Sequence, residues 1–384
     1  MKKLKVYLSI FIGLLICACN SPKNDSNKNS SSANRAPSKL TVVSIDTINL
    51  KTPNGSGIYL ASYNDGKIYF LDSKFGVLNV FDTLFKPLGT YWGIGNGPYE
   101  IPNIPRKFCA TKKHGTIVVS DFIFLKTEKL GKSLKKIPIN YNVKETLYEL
   151  QNSPNGDMHG IYEIDWSRSE NRVSVAGVYI VLPLTSYHPK FNGYMHDKYY
   201  EESKPVGLFD INTGKLEKLI GKKPHIYLEK RYIPNFDQVF FDCNDTIIYL
   251  SFAADSGIYA YSTNGKLLKK FGRSHKGFNS EYPKYNGNWE EADKNYVNER
   301  SRFSSYGTIK VDKEGNTIVR HVFLNKDAGG VLQVYRNDNL IGAIPVAQDY
   351  TLIDVVGESI YGYLKNNENI VNENRIKLIR IRYQ

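Results

Sequence analysis

From Leu40 onward, short runs rich in Val, Ile, Tyr and Phe alternate with turns of Gly, Asn and Asp, and the runs recur in pairs. Residues 65–70 (DGKIYF) lead into 77–82 (VLNVFD), and 245–250 (DTIIYL) lead into 257–261 (GIYAY). Each pair reads as a hairpin with one buried face, since alternation with period two between turn signals suits a pleated strand. The outer runs repeat as well. Residues 208–216 (LFDINTGKL) match 258–267 (IYAYSTNGKL), and in both a glycine follows the turn glycine by seven residues, at Gly221 and Gly272. Further copies of the strand-turn pattern stand at 114–118, 314–319 and 357–361. No helical period longer than about two turns stands out, so the texture is all-β.

Self-similar four-strand units of about 40 residues are the signature of a β-propeller. Counting them places blades near 55–95, 105–140, 145–221, 236–272, 303–346 and 350–384, with the boundaries between 145 and 236 left open by the length of the middle unit. That is a six-bladed ring. The strand-like segment 40–46 (LTVVSID) is left over, and it is expected to complete the last blade, which removes an exposed sheet edge.

The N-terminus addresses location. Lys2, Lys3 and Lys5 precede an apolar run over 6–18, too short for the roughly 20 residues of a spanning helix. Ile16-Cys17-Ala18-Cys19 resembles the lipobox of bacterial lipoproteins, which implies a signal peptide over 1–18 that is cleaved off and a lipidated Cys19. Residues 20–38 carry no large apolar side chain and are rich in Asn, Ser and Lys, so 19–39 reads as a flexible tether and 40–384 as the propeller domain. The expected partner of Cys19 is a lipid bilayer. Because the residues after it lack the acidic run that surface-export signals resemble, the expected location is the outer membrane, facing the periplasm.

The net charge of +13 falls once the leader and tether lysines are set aside, and the rest is spread along the chain. A nucleic-acid partner would need Lys and Arg clustered on one element, and none is expected. Cys17 leaves with the signal and Cys19 takes lipid, so Cys109 and Cys243 remain; two cysteines make no disulfide framework, and buried free thiols are the favoured reading. Neither has the short-range Cys or His neighbours of a zinc site, and no cofactor is expected.

With the lipobox, the Asn/Ser tether, the blade turns Asp65-Gly66-Lys67 and Asn264-Gly265-Lys266, and the linker from Gly93 to Glu100, the chain resembles the domain-of-unknown-function lipoproteins of Bacteroidetes. That resemblance implies a six-bladed, TolB-like β-propeller at the cell envelope. It implies no reaction.

Gly93-Ile94-Gly95-Asn96-Gly97-Pro98 lacks the Lys-Ser/Thr ending of a phosphate loop and reads as an inter-blade connection. Two long insertions are the better candidates for function. Residues 185–203 carry Tyr187, His188, Tyr194 and His196, and residues 276–305 carry Tyr282, Tyr285 and Trp289. Aromatics interleaved with polar groups suit a sugar or peptide face, so these seven are the candidate ligand contacts, with Trp289 and Tyr194 foremost. His188, His196 and Asp197 do not have a recognised metal-ligand spacing. Glu290, Glu291 and Asp293 would be the acid/base groups if the propeller were a hydrolase of carbohydrates or lactones, but neither a sialidase box nor a Gly-x-Ser-x-Gly elbow is present. The reading is a non-catalytic binding or interaction scaffold for a glycan or protein.

Overall fold

Asp65 and Gly66 both adopt positive φ, at 48° and 73°, and the flanking Asn64 and Lys67 pair directly. This is the two-residue turn whose twist matches that of the strands it joins. The later glycines of the repeat have their own reason. Gly272 sits at φ +108°, and a Cβ there would lie 2.4 Å from the carbonyl oxygen of Ser256. Only glycine lets the chain leave the blade at that point.

The computed structural model describes residues 40–51, 55–166, 171–230, 232–285, 289–325, 328–364 and 375–384. The leader, Cys19 and the tether lie outside the described residues. Six antiparallel sheets form the blades, the first five in chain order from the inner to the outer strand. Blade 1 spans Tyr59–Asn64 to Pro87–Tyr91, blade 2 Lys107–Thr111 to Lys135–Pro138, blade 4 Val239–Cys243 to Leu267–Phe271 and blade 5 Ser305–Val311 to Asn339–Val346. The first strands of blades 1 and 2, 3 and 4, 4 and 5, 5 and 6, and 6 and 1 touch one another, so they line the axis of a six-bladed propeller.

Blade 6 closes the ring as expected from the leftover strand. Tyr350–Val356, Ser359–Leu364 and Arg375–Tyr383 are joined at the outer edge by Val42–Lys51, in a register that sets Ile45 against Ile381 and Leu50 against Ile376. Arg380 adds a pair of bonds to Asp46, at 3.0 and 2.6 Å. Thr41 and Gln384 exchange backbone hydrogen bonds of 3.0 Å. At the seam with blade 1, Phe70 meets Tyr59, Phe81 and Tyr363 edge-on, and the Tyr363 hydroxyl donates to the Tyr59 carbonyl at 3.1 Å.

Blade 3 settles the open boundaries and is the irregular one. Its inner strand comes in two pieces, Glu163–Ile164 and Ser174–Ala176, both paired with Tyr179–Thr185, followed by Val206–Asp210 and Leu216–Ile220. The excursion between the two pieces brings Asn171 against blades 1 and 2, where its amide donates to the Ala61 and Phe108 carbonyls at 3.0 and 2.7 Å and accepts from the Phe108 N–H at 2.8 Å. Insertion 185–203 leaves this blade after its second strand, as a small hairpin, Tyr187–His188 with Phe191–Asn192, and a helix, Asp197–Glu202.

The second insertion corrects one expectation. Where no long helical period was read, Trp289–Arg302 is a helix of 14 residues. Only Ala292 and Glu299 in it are buried, so it has almost no apolar stripe; Glu290 and Glu291 in its first turn and Arg300 and Arg302 in its last complement the helix dipole instead. Other expectations hold. Cys109 and Cys243 are free and buried, and burial pushes both thiols up to about 12. In the inter-blade loop the Gly97 N–H is taken by the Glu100 carboxylate at 2.8 Å, the Gly95 N–H donates to the Ile101 carbonyl at 3.0 Å, and the Ile101 N–H donates to the Gly93 carbonyl at 2.8 Å.

Candidate functional site

The two insertions and the connection entering blade 4 enclose a cavity of about 630 Å³. This is within the size range of small-ligand sites. On the helix Trp289–Arg302, residues 289, 292, 293 and 296 recur at the spacing of one helical face, and Trp289, Ala292, Asp293 and Tyr296 all line the cavity. The blade 3 insertion supplies Tyr187 and Tyr194 from the facing side. Trp289 and Tyr187 are 56 % and 63 % exposed, so most of each ring is open to solvent.

The remaining wall is polar and comes from the blades. Asp165 follows the first piece of the inner strand of blade 3, and Asn235, Asp237 and Gln238 lead into Val239 of blade 4. Arg172 pairs with Asp165 at 2.5 Å and donates to the Val239 carbonyl at 3.1 Å, which ties the excursion of blade 3 to blade 4. Lys223 pairs with Asp237, and its ammonium lies 5.0, 5.9 and 5.3 Å from the rings of Tyr199, Tyr200 and Tyr227. Three ring faces offset part of the cost of burying that cation. Burial pushes the Asp237 carboxyl up, Lys223 and the Tyr199 hydroxyl oppose the shift, and the charge of Asp165 adds to it. Gln238 Oε1 is buried without a hydrogen-bond partner among the described residues. Such an acceptor favours a ligand that brings a donor.

The expected contacts divide. Tyr187, Tyr194 and Trp289, from insertions more than 70 residues apart, share the one cavity, and Asp293 joins them. Tyr282 and Tyr285 do not. Tyr282 is buried against Phe236 and Phe303 with its hydroxyl on the Ser304 carbonyl at 2.8 Å, and Tyr285 is buried with its hydroxyl on Glu299. Both hold the insertion to the ring, because a ring that wide at the base of a loop gains more by covering apolar surface than by facing water. His188 and His196 lie off the cavity lining and brace the hairpin: His188 Nδ1 accepts from the Lys190 N–H at 3.1 Å, and His196 Nε2 bonds the Pro189 carbonyl at 2.7 Å. Glu290 and Glu291 are exposed and are not part of the lining. Asp165, Asp237 and Gln238 were not anticipated. Asp165 sits just after a strand piece and Asp237 and Gln238 just before a strand, and no spacing marks them, since their proximity comes from the packing of blade 3 beside blade 4.

Insertion 276–305 is locked to this wall through Asn235, whose amide donates to the Ala292 carbonyl at 2.8 Å and to Glu299 at 2.9 Å. Platform, floor and helix are thus one bonded unit. Rigid placement of this kind lowers the ordering cost of binding.

No protein-family model matches the chain, and no curated protein does. Among solved structures, a member of the DUF4221 family from Bacteroides vulgatus is similar over 91 % of this chain and 99 % of its own, with a TM-score of 0.62 at 14 % identity. A putative exported protein from Bacteroides fragilis is similar over 91 % of this chain and 96 % of its own, with a TM-score of 0.50 at 11 % identity. The expected likeness to domain-of-unknown-function proteins of this bacterial group is found in the fold: the chain is similar to them as a six-bladed β-propeller.

Proposed function

We propose that this propeller is a saccharide-binding module, held at the bacterial envelope through lipidated Cys19, that takes its ligand in the cavity between the insertions of blade 3 and of the connection before blade 5. The observation that carries the reading is the facing of Trp289 and Tyr296 with Tyr187 and Tyr194 over a wall of Asp165, Asn235, Asp237 and Gln238. Aromatic faces cover the apolar side of a sugar ring, and planar carboxylates and amides meet its hydroxyls. Both inner carboxylates already face a cation, Arg172 or Lys223, which suits them to accept hydrogen bonds. The envelope assignment rests on the lipobox-like residues 16–19.

A glycan array followed by titration of the purified chain tests the cavity. Trp289→Ala is expected to weaken binding at least tenfold, about 1.4 kcal/mol, with an unchanged melting temperature, because the ring is more than half exposed. Equal affinity in the variant would refute the platform, and release of reducing ends from bound glycans would make the cavity a hydrolase site. Cys19→Ala is expected to move the protein out of the membrane fraction; retention would refute lipid anchoring.

A further inference from the structure

The inner strands enclose a second cavity at the mouth of the central channel formed by their hairpin turns, with a volume of about 820 Å³. A smaller one of about 460 Å³ opens at the other mouth, and Ala61, Asn171 and Lys310 line both, so Lys310 stands at the waist of the channel. Three successive inner strands bring charge into the larger cavity: Asp242 from Val239–Cys243, Lys310 from Ser305–Val311 and Asp354 from Tyr350–Val356. Their situations differ. Asp242 accepts one hydrogen bond on each oxygen, from the Ser174 hydroxyl at 2.7 Å and from the Val311 N–H at 3.0 Å, which leaves it further acceptor capacity. Asp354 is 7 % exposed, yet among the described residues it accepts only the N–H of its own neighbour Val355, at 2.9 Å, and has no ion pair. Lys310 is half-buried and has neither a hydrogen bond nor an ion pair among the described residues.

We propose that this channel mouth binds a small zwitterion, with an ammonium group between Asp354 and Asp242 and a carboxylate on Lys310, the chemistry of a free amino acid. Lys310 attracts the Asp354 carboxylate across the cavity but does not bond to it, so part of the cost of burying Asp354 and the unused donors of Lys310 remain. A ligand carrying both charges meets both with two charge-assisted hydrogen bonds and adds no net charge to the ring. A divalent metal fits less well, because Lys310 and Lys313 repel it and no group of three His, Cys, Asp or Glu among the described residues is placed to hold one.

The same groups set a pH signature. Burial pushes the Asp354 carboxyl up to about 7; Lys310 and Lys313 from blade 5 pull it down, Asp242 from blade 4 pushes it up, and the nearby thiols Cys109 and Cys243 stay protonated. An ammonium needs the ionised form, so binding at pH 7 releases part of a proton, and affinity falls as the pH drops below 7, by up to about tenfold per unit.

Calorimetry of the full chain against the free L-amino acids, with ethylamine and acetate as controls that carry only one of the two charges and calcium chloride as a metal control, tests the site. At least one amino acid is expected to bind ten times more tightly than any control, with a heat that differs between phosphate and Tris buffers because a proton is released. Lys310→Met and Asp354→Asn should each weaken it tenfold or more, and only Asp354→Asn should abolish the proton release. Trp289→Ala, in the other cavity, should change nothing. No binding across the panel, ethylamine or calcium binding as tightly as the amino acid, or wild-type affinity in a folded Lys310→Met protein would each overturn the proposal.

Discussion

Blades 6 and 3 are both assembled from discontinuous pieces, and they use the discontinuity in opposite ways. Blade 6 joins the two ends of the described domain in a long antiparallel ladder with one irregularity, between Val42 and Ser44. Blade 3 breaks its inner strand, sends Asn171 across to its neighbours and releases a long insertion from its second strand. Regular pairing closes the ring there; here irregular chain builds a wall of the cavity. The contrast teaches that a propeller places its stability and its recognition in different blades, since ladder hydrogen bonds restrain a backbone that a site needs to redirect.

The largest test removes the closure. Deleting residues 40–51 is expected to lower unfolding stability by on the order of 5 kcal/mol, through lost ladder bonds, the lost burial of Leu50 and the lost Asp46–Arg380 pair, whereas deleting 20–38 leaves it within about 0.5 kcal/mol. Urea titration of the two truncations checks this, and equal midpoints would break the assignment of stability to blade 6. Asn171→Ala asks whether the irregular blade also holds the ring. It strips three hydrogen bonds that join blades 1, 2 and 3, with an expected loss of about 3 kcal/mol in the same titration. A loss under about 1 kcal/mol would confine structural duty to the regular blades. Tyr285→Phe gives the smallest expected effect, about 1.5 kcal/mol of stability from one bond to the buried Glu299, with glycan affinity unchanged. If affinity falls while stability holds, Tyr285 belongs to the recognition surface after all.

The number of blades, the hairpins and the closing strand were legible because each rests on local chemistry. Asp65-Gly66 dictates its turn, the apolar runs 247–250 and 258–261 dictate strands, and the leftover run at 40–46 needs an edge to pair with; the expected single buried face does not hold, because neighbouring blades cover both faces of these strands. The helix Trp289–Arg302 was not legible, because it has little apolar stripe and is held by Asn235, more than 50 residues earlier in the chain, and by the hydroxyl of Tyr285. The candidate contacts were legible in part. Tyr187, Tyr194 and Trp289 stood out as aromatics in unusually long loops, but the same signal also marked Tyr282 and Tyr285, which pack inward.

Composition and spacing by themselves determined an all-β ring of six units with two aromatic-rich insertions, since period and turn chemistry act over a few residues. Only the tertiary structure decided that those insertions face each other across Asp165, Asp237 and Gln238, and that Asp242, Lys310 and Asp354 share one channel. The physical reason is that packing successive blades side by side brings together residues distant in the chain, and the burial, pairing and proton affinity of a side chain depend on what that packing places beside it.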